Sequence, residues 1–414
     1  MNQATVSSKL RQLNEVFTPA APIMTRDLFF GRLDQLNRVV ETITERGQHA
    51  ILYGDRGVGK TSLANILHQA LQGLVVTKVT CNRTEDFRAI WNKIFKRITI
   101  MAKSQGAGFT AEEVKKAIQL NFFLPEEQNV DSTDILATLE FLTTPILLIF
   151  DEFDSVKDPD TRTRFADTIK ALSDNAPNVT LLLVGVAQNV TDLIGMHPST
   201  ERCLRQILLP RMSADELGLI IDNGMKSLGS SIDPFVRLDI IEFSHGFPHY
   251  THLLSKYAVK SALTSGTLDV TRHHFDLSID EALANVSESI RDLYQRATTS
   301  GHKGALYQHV LHACALAKED EHGAFRATDL LKPMRLVTGK PYPVSSYGFH
   351  LSQLCSDERG PVLEQVGRGK MHLYKFRHPL IRAYVRIRLY QAGLIKGATS
   401  HNTPHHDAPL IEKE

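Results

Sequence analysis

Cysteine is scarce: there are four in 414 residues, Cys81, Cys203, Cys314 and Cys355, with no Cys-x-x-Cys pair among them. That scarcity argues against a disulfide framework and a zinc ribbon, and fits buried thiols in a reducing compartment. Net charge is nearly absent too, +1, so no global field draws the chain to nucleic acid or membrane, and any such attraction has to be local. No stretch approaches the ~20 apolar residues of a membrane span. The opening MNQATVSSKLRQLNEVF lacks an apolar core of the signal-peptide kind, so a cytoplasmic location with no membrane partner is expected. No internal repeat is visible, and no motif of nuclease, protease or TIR type. What is present is 42% hydrophobic residues, enough for two or three globular domains.

The first informative stretch is YGDRGVGKTS, Tyr53 to Ser62. An apolar run, HAILYG, precedes it as a buried parallel strand would. After it, Leu63, Ile66, Leu67, Ala70 and Leu71 recur at helical spacing. Strand, glycine loop and helix are the context in which Gly-x-x-x-x-Gly-Lys-Thr cradles phosphates. Gly54, Gly57 and Gly59 let backbone N–H groups approach without a Cβ in the way, and Asp55, Arg56 and Val58 complete the loop. The helix start adds its positive end. Lys60 is expected at the β- and γ-phosphates of ATP, Thr61 on Mg²⁺, and Ser62 beside them.

A phosphate loop needs an acid on a neighbouring strand, and PILLIFDEFDS supplies it. Ile146 to Phe150 is a continuous apolar run, as in a strand covered on both faces. Asp151 stands at its C-terminal end, where open α/β sheets bind ligands. It is assigned to the Mg²⁺ shell, and Glu152 to polarising the attacking water. Asp154 or Ser155 is the candidate cap of the next helix. Further strands read at Leu74–Asn82, Val179–Ala187 and RQILLPRM, with TRTRFADTIKALSDN as a crossover helix. The expected fold class is α/β, a mainly parallel P-loop sheet. Residues 100–133 read as an insertion with one helix and a loop.

With these motifs in order, the chain resembles the AAA+ ATPases of the initiator-like (origin-recognition-like) or STAND-like bacterial group, which carry a helical lid and a C-terminal winged helix. FFGR, Phe29 to Arg32, resembles the family's Gly-Arg box near the adenine, which implies nucleotide contact by Phe30 and Arg32; the Glu that often follows is absent here. VGVAQN lies where the first sensor is expected, with Gln188 or Asn189 as its polar group. HPSTERCLRQILLPRM resembles the segment carrying the arginine finger, which implies that Arg202, or else Arg205, projects into the next subunit's pocket of an ATP-state homo-oligomer. SHGFPHYTHLLSKYA resembles the second-sensor motif, placing Pro248 and His249 by the nucleotide; initiator ATPases usually carry arginine about here. His245, His249 and His252 recur at helical spacing without an accompanying carboxylate or cysteine, which argues against a metal site. His249 stands near the phosphates or on a plain helix surface.

From Val286 the pattern becomes helix, helix, helix, hairpin, then a last helix, HPLIRAYVRIRLYQAG. That is the order of a winged helix. ALYQHVLHACALAK reads as amphipathic, Thr328 as a cap, and Ser345 or Ser346 as the cap of the third helix. Arg368, Lys370, Lys375, Arg377, Arg382, Arg386, Arg388 and Lys396 occur between Gly367 and Lys396 with no acid. A basic wing, with Arg368 and Lys370 at its tip, and a basic helix would suit duplex DNA phosphates; the alternative is a docking or oligomerisation surface for protein, with arginine stems packed over an apolar core. The third helix has no Arg or Lys, so base readout from it would be weak. The expected divisions are an extension (1–27), ATPase core (28–212), lid (213–285), winged helix (286–396) and disordered tail (397–414). Two functions follow: an ATP-hydrolysing switch whose nucleotide state controls assembly and DNA binding, or a signalling or defence ATPase that assembles with a separate protein effector.

Overall fold

The computed structural model describes residues 3–23, 32–71, 73–105, 113–126, 129–187, 202–302, 304–320, 323–367 and 372–398. The chain divides into two compact units, residues 22–211 and residues 1–21 with 212–414. The expected 1–27 segment therefore straddles a division at Ala21/Pro22. The second division, Arg211/Met212, lies beside the expected 212/213 boundary, and segments 213–285 and 286–396 share one unit.

The first unit is built on a five-stranded sheet of β1 (His49–Gly54), β2 (Val75–Thr80), β5 (Ile146–Asp151), β6 (Val179–Val186) and β7 (Leu204–Leu208), in the order β2-β5-β6-β1-β7. Every pairing is parallel. The apolar runs that suggested covered strands are buried along β5, and along β6 up to its last residue. Parallel strands put all their C-terminal ends at one edge. That edge therefore holds Gly54, the start of the phosphate loop, and Asp151, on the two strands that flank β6. On one face an aromatic cluster fixes this edge: Trp91 stacks on Phe165 at 5.6 Å, and Phe165 meets Phe150 at 5.1 Å and Phe153 at 4.9 Å, edge to face.

Residues 100–133 differ from expectation. Thr99–Gln105 (β3) and Glu113–Gln119 (β4) form an antiparallel hairpin, followed by a 3-10 turn and the helix Ser132–Leu139. The stretch AEEVKKAIQL is rich in helix formers, yet cross-strand pairing with β3 overrides that weak local preference.

In the second unit the helix Gln3–Val16 packs on the helices Ala214–Leu228 and Pro248–Thr264. Lys9 Nζ donates to Leu228 O at 2.6 Å, and Phe17 fills the space that Gly224 leaves. Ser213 and Glu216 form a capping box at the acid-rich start of Ala214–Leu228. The C-terminal part runs helix Tyr307–Leu316, strand Ala324–Arg326, helix Leu331–Thr338, helix Val344–Leu354, then strands Leu363–Val366 and Leu373–Phe376, the last of these lying between the other two in a three-stranded antiparallel sheet. This is a winged helix, with a three-residue strand that the sequence pattern does not signal. The helix Tyr307–Leu316 is a core helix rather than an amphipathic one, buried from Val310 through Ala315. Thr328 caps nothing: it lies in a 3-10 turn, where Asp329 takes the Arg326 N–H at 2.7 Å. Val344–Leu354 starts at Pro343 with no side-chain cap bond from Ser345 or Ser346.

The last helix, Pro379–Gln391, is the largest departure. Its arginines turn inward. Arg382 is 3% exposed, donates to Ala315 O at 3.1 Å and pairs with Glu319. Arg386 pairs with Glu242 at 2.6 Å, and Arg388 lies 5.4 Å from the Tyr294 ring centroid. Burial of the apolar face forces this, because arginine stems lie along the core and carry their heads to internal acceptors. The helix therefore has its three arginines engaged by partners within its own unit, Arg386 and Arg388 remaining partly exposed.

Candidate functional site

The phosphate loop is shaped by two close constraints. A Cβ on Gly54 (φ +151°) would stand 2.3 Å from Leu209 O, because the Leu209 N–H bonds Tyr53 O at 2.7 Å and draws the two chains together. Gly59 caps the helix Lys60–Ala70 with φ 98°, and nothing lies within 4 Å of where its Cβ would be. The loop thus presents open backbone at a helix N-terminus, which suits phosphate oxygens.

Lys60 is 8% exposed and donates to Gly54 O at 3.1 Å and Asp55 O at 2.8 Å. Its acceptors are neutral carbonyls, so the charge is aimed into the loop and not quenched by a contacting carboxylate. Burial lowers its pKa to about 8, partly opposed by the charges of Asp154, Asp55 and Asp151. Thr61 Oγ1 points at Asp151 Oδ1, 3.4 Å away. A hydroxyl and a carboxylate converging beside a phosphate loop form the donor set that Mg²⁺ takes, since this ion prefers few protein oxygens plus phosphates and water. The residues fit ATP and Mg²⁺ on chemistry.

Glu152 adopts a left-handed backbone, φ 55° and ψ 37°, uncommon for a side-chain-bearing residue. Its neighbours explain this. Asp151 is 3% exposed and Phe153 is buried in the aromatic cluster, so the chain reverses within one residue and Glu152 faces outward. Asp154 is not a helix cap. Its Oδ1 accepts the Val186 N–H at 2.8 Å, which fixes the end of β6, while Ser155 donates to Cys81 O at 2.9 Å. Asp158 caps the crossover helix Pro159–Asn175.

Other expected residues fall as follows. Arg32, 1% exposed, donates to Val58 O at 3.3 Å and Pro210 O at 2.6 Å, tying the phosphate loop to the end of β7's exit. Ser62 Oγ accepts the Ile23 N–H at 3.0 Å. Arg56 is exposed and Val58 buried. Arg202 and Arg205 lie at the start of β7, where Leu204 pairs with His49, at the sheet edge opposite their own phosphate loop. Both are exposed, Arg202 pairing with Asp174 at 2.5 Å and Arg205 with Glu45 at 3.6 Å. Phe30, Gln188, Asn189, Arg368 and Lys370 lie outside the described residues.

In the second unit Pro248 opens its helix, and His249 Nδ1 donates to Pro19 O at 2.7 Å. His249 is therefore not on a plain helix surface, and burial holds its pKa below the ordinary histidine value. His252 Nδ1 accepts the Thr18 N–H at 3.3 Å, and His245 pairs with Glu319 at 3.1 Å. The three histidines thus have separate partners.

Sequence reading missed two groups. Lys78 on β2 pairs with Asp151 Oδ2 at 2.8 Å and donates to Asn65 Oδ1 at 2.7 Å. Arg211 pairs with Asp55 of the loop at 3.2 Å. A lysine inside the strand-forming run VVTKVT was the available signal for the first; an arginine three residues after a strand gives none.

A parallel sheet with this loop and these carboxylates at its C-terminal edge defines a P-loop nucleoside triphosphatase fold with an appended winged helix. The chain belongs to the novel STAND NTPase 1 family, whose model matches residues 23–327. Among curated proteins none matches. Among solved structures it is similar to the Walker-type ATPase PABY2304 of Pyrococcus abyssi, at 15% identity over 90% of this chain and 99% of that one, with a TM-score of 0.53. It is also similar to the Aeropyrum pernix ORC2 protein in its ADPNP–ADP complexes, at 17% identity over 91% and 98%, TM-score 0.49. The Aeropyrum pernix ORC1 protein in complex with DNA matches at 15% over 93% and 98%, TM-score 0.47. Of these the first bears on the fold, and on the fold alone. Among the described residues no helix is long and apolar enough to cross a membrane.

Proposed function

We propose that the protein is a Mg²⁺-dependent ATPase that works as a molecular switch. The observation that carries this is the meeting of Lys60, Thr61, Asp151 and Glu152 at one sheet edge. Lys60 binds and orients the β- and γ-phosphates; Thr61 and Asp151 hold Mg²⁺, which would neutralise charge on the phosphate oxygens when bound. Glu152, turned outward, takes the proton of the attacking water. Asn189, just after β6, is assigned to the first sensor. His249 and Pro248 are assigned to the nucleotide side of a lid spanning 213–285, ahead of a winged-helix domain of 286–396.

Arg202 stands at the edge away from its own loop, a position from which it serves a second copy of the chain better than its own site. Arg202→Ala protein should bind ATP and hydrolyse it poorly. Mixed with Lys60→Ala protein it should regain turnover, because mixed interfaces join a working pocket to a working finger. Co-assembled mixtures with no regained phosphate release would remove Arg202 from this role and pass it to Arg205.

The output is proposed to be contact of the wing with duplex DNA. With the last helix turned inward, the basic groups left for it are the half-buried Lys375, the exposed Arg377 and Lys396, and Arg368 and Lys370, which follow the strand Leu363–Val366 in sequence. One observation favours the second reading, a protein effector: the third helix has no Arg or Lys and exposes Phe349 by 65%. A salt series with a fluorescent duplex and ATP separates them. Arg368→Ala with Lys370→Ala should lower the slope of log affinity against log salt by about two units, roughly one per phosphate contact. Absence of salt-sensitive DNA binding by the wild type in every nucleotide state would discard the DNA output in favour of the effector.

A further inference from the structure

The geometry points to Lys78 as the positioning residue for the metal-binding carboxylate: it holds Asp151 Oδ2 so that Oδ1 faces Thr61. The inference rests on the nucleotide-site reading above and concerns this chain's own residues.

The two oxygens of Asp151 have separate tasks. Oδ2 lies 2.8 Å from Lys78 Nζ. Oδ1 accepts the Glu152 N–H at 3.0 Å and faces Thr61 Oγ1 at 3.4 Å. Asp151 is 3% exposed, so a turn about its side-chain bonds would leave a buried carboxylate oxygen without its partner. Lys78 is itself fixed at its far side, where Nζ donates to Asn65 Oδ1 at 2.7 Å. Asn65 sits on the phosphate-loop helix and its Nδ2 donates to Ile23 O at 3.4 Å, while the Ile23 N–H bonds Ser62. A continuous chain of contacts therefore runs from Ile23, ahead of the Gly-Arg box, through Asn65 and Lys78 to Oδ2 of Asp151, the oxygen turned away from Thr61. Lys78 reaches this place because β2 pairs with β5 in a register that sets it opposite Ile149, two residues before Asp151.

Charge alone argues the other way, since an ammonium beside the carboxylate repels an arriving Mg²⁺. Orientation outweighs that repulsion here. The Lys78 charge is already engaged by Asp151 at 2.8 Å, and without it the buried Oδ2 would lose its partner, which favours a turn that takes Oδ1 away from Thr61. Groups that orient a metal ligand typically change metal affinity 10–100-fold when removed.

The test measures binding of a fluorescent ATP analogue to the full chain, with Mg²⁺ and with EDTA. The quantity read is the ratio of the two dissociation constants, which isolates the metal's share and needs no turnover. Lys78→Met, which keeps the apolar stem, should shrink the wild-type ratio about tenfold. Lys78→Arg should keep most of it. Asn65→Leu, which frees the far side of Lys78, should shrink it in part, and it carries the same readout if Lys78→Met does not fold. A merely structural role would lower the melting temperature and leave the ratio as it was. An unchanged ratio in folded variants overturns the inference, and so does an increased one, which would mean that repulsion dominates. A wild type with no Mg²⁺-dependent binding overturns the nucleotide reading first, and this inference with it.

Discussion

Changing Glu152→Gln should lower ATP turnover by roughly 10²–10⁴-fold while ATP affinity stays within about twofold of wild type. The amide fills the same space and cannot take the proton from water. In the proposed site Lys60 still meets the phosphates and Thr61 and Asp151 the Mg²⁺, so binding should survive. The backbone adds a second, independent expectation. Glu152 is held at φ 55°, a conformation that costs a side-chain-bearing residue about 1–2 kcal/mol and glycine almost nothing. Glu152→Gly should therefore be inactive and yet more stable by about 1 kcal/mol, read from chemical denaturation. That pairing of lost activity with gained stability is what a functional residue kept in a strained turn produces. Equal phosphate release by wild type and the glutamine variant would take Glu152 out of the reaction.

The second large effect concerns stability. Arg382→Leu should destabilise the unit formed by residues 1–21 and 212–414 by about 3 kcal/mol, because it removes a buried guanidinium from Glu319, which retains its contact with His245, and from the carbonyls of Ala315 and Ala317. Glu319→Gln alone should cost less, since Arg382 keeps its carbonyl acceptors. The double variant should cost less than the sum, since the two changes remove one shared interaction. The chain's one tryptophan, Trp91, lies in the other unit. Circular dichroism should thus show an early transition in Arg382→Leu while the Trp91 emission midpoint holds. Coincident early shifts in both signals, or no shift in either, would contradict the assignment.

These two residues mark what sequence could and could not give. The phosphate loop, Asp151 and Glu152 were readable because their chemistry is local: glycines, lysine and hydroxyl sit in one run, and the carboxylates end one apolar strand. The parallel sense of the main strands follows from their alternation with helices, whereas their order across the sheet is set by the pairings alone. For the arginines of the last helix the sequence leaves a DNA-facing surface and packing over the core both open, because composition records charge but not the direction of a long stem. Only the packed neighbours, Ala315 O, Glu319 and Glu242, decide that direction. The hairpin of β3 and β4 was hidden by helix-forming residues whose preference is weak beside strand pairing. The strand Ala324–Arg326 is three residues long, too short for any periodicity to register. Lys78 was visible as a lysine in a strand rich in valine and threonine, but its link to Asp151 depends on pairing register, which a single sequence does not state.

The last helix has a consequence for how this protein can be divided and inherited. Tyr390 packs against Phe243 at 4.8 Å and Phe275 at 5.9 Å, both in the segment 213–285. On the same helix Tyr384 meets Tyr294 at 5.5 Å, and Leu380 O accepts the Tyr250 hydroxyl at 2.9 Å. The wing is therefore no interchangeable cassette. A chain ended before Pro379 would open two hydrophobic surfaces at once, and a wing borrowed from a relative would bring a foreign plug to a socket shaped by Phe243, Phe275 and Tyr250. Lineages that retarget such a protein would find it easier to vary exposed loops and the third helix than to shuffle the whole C-terminal module.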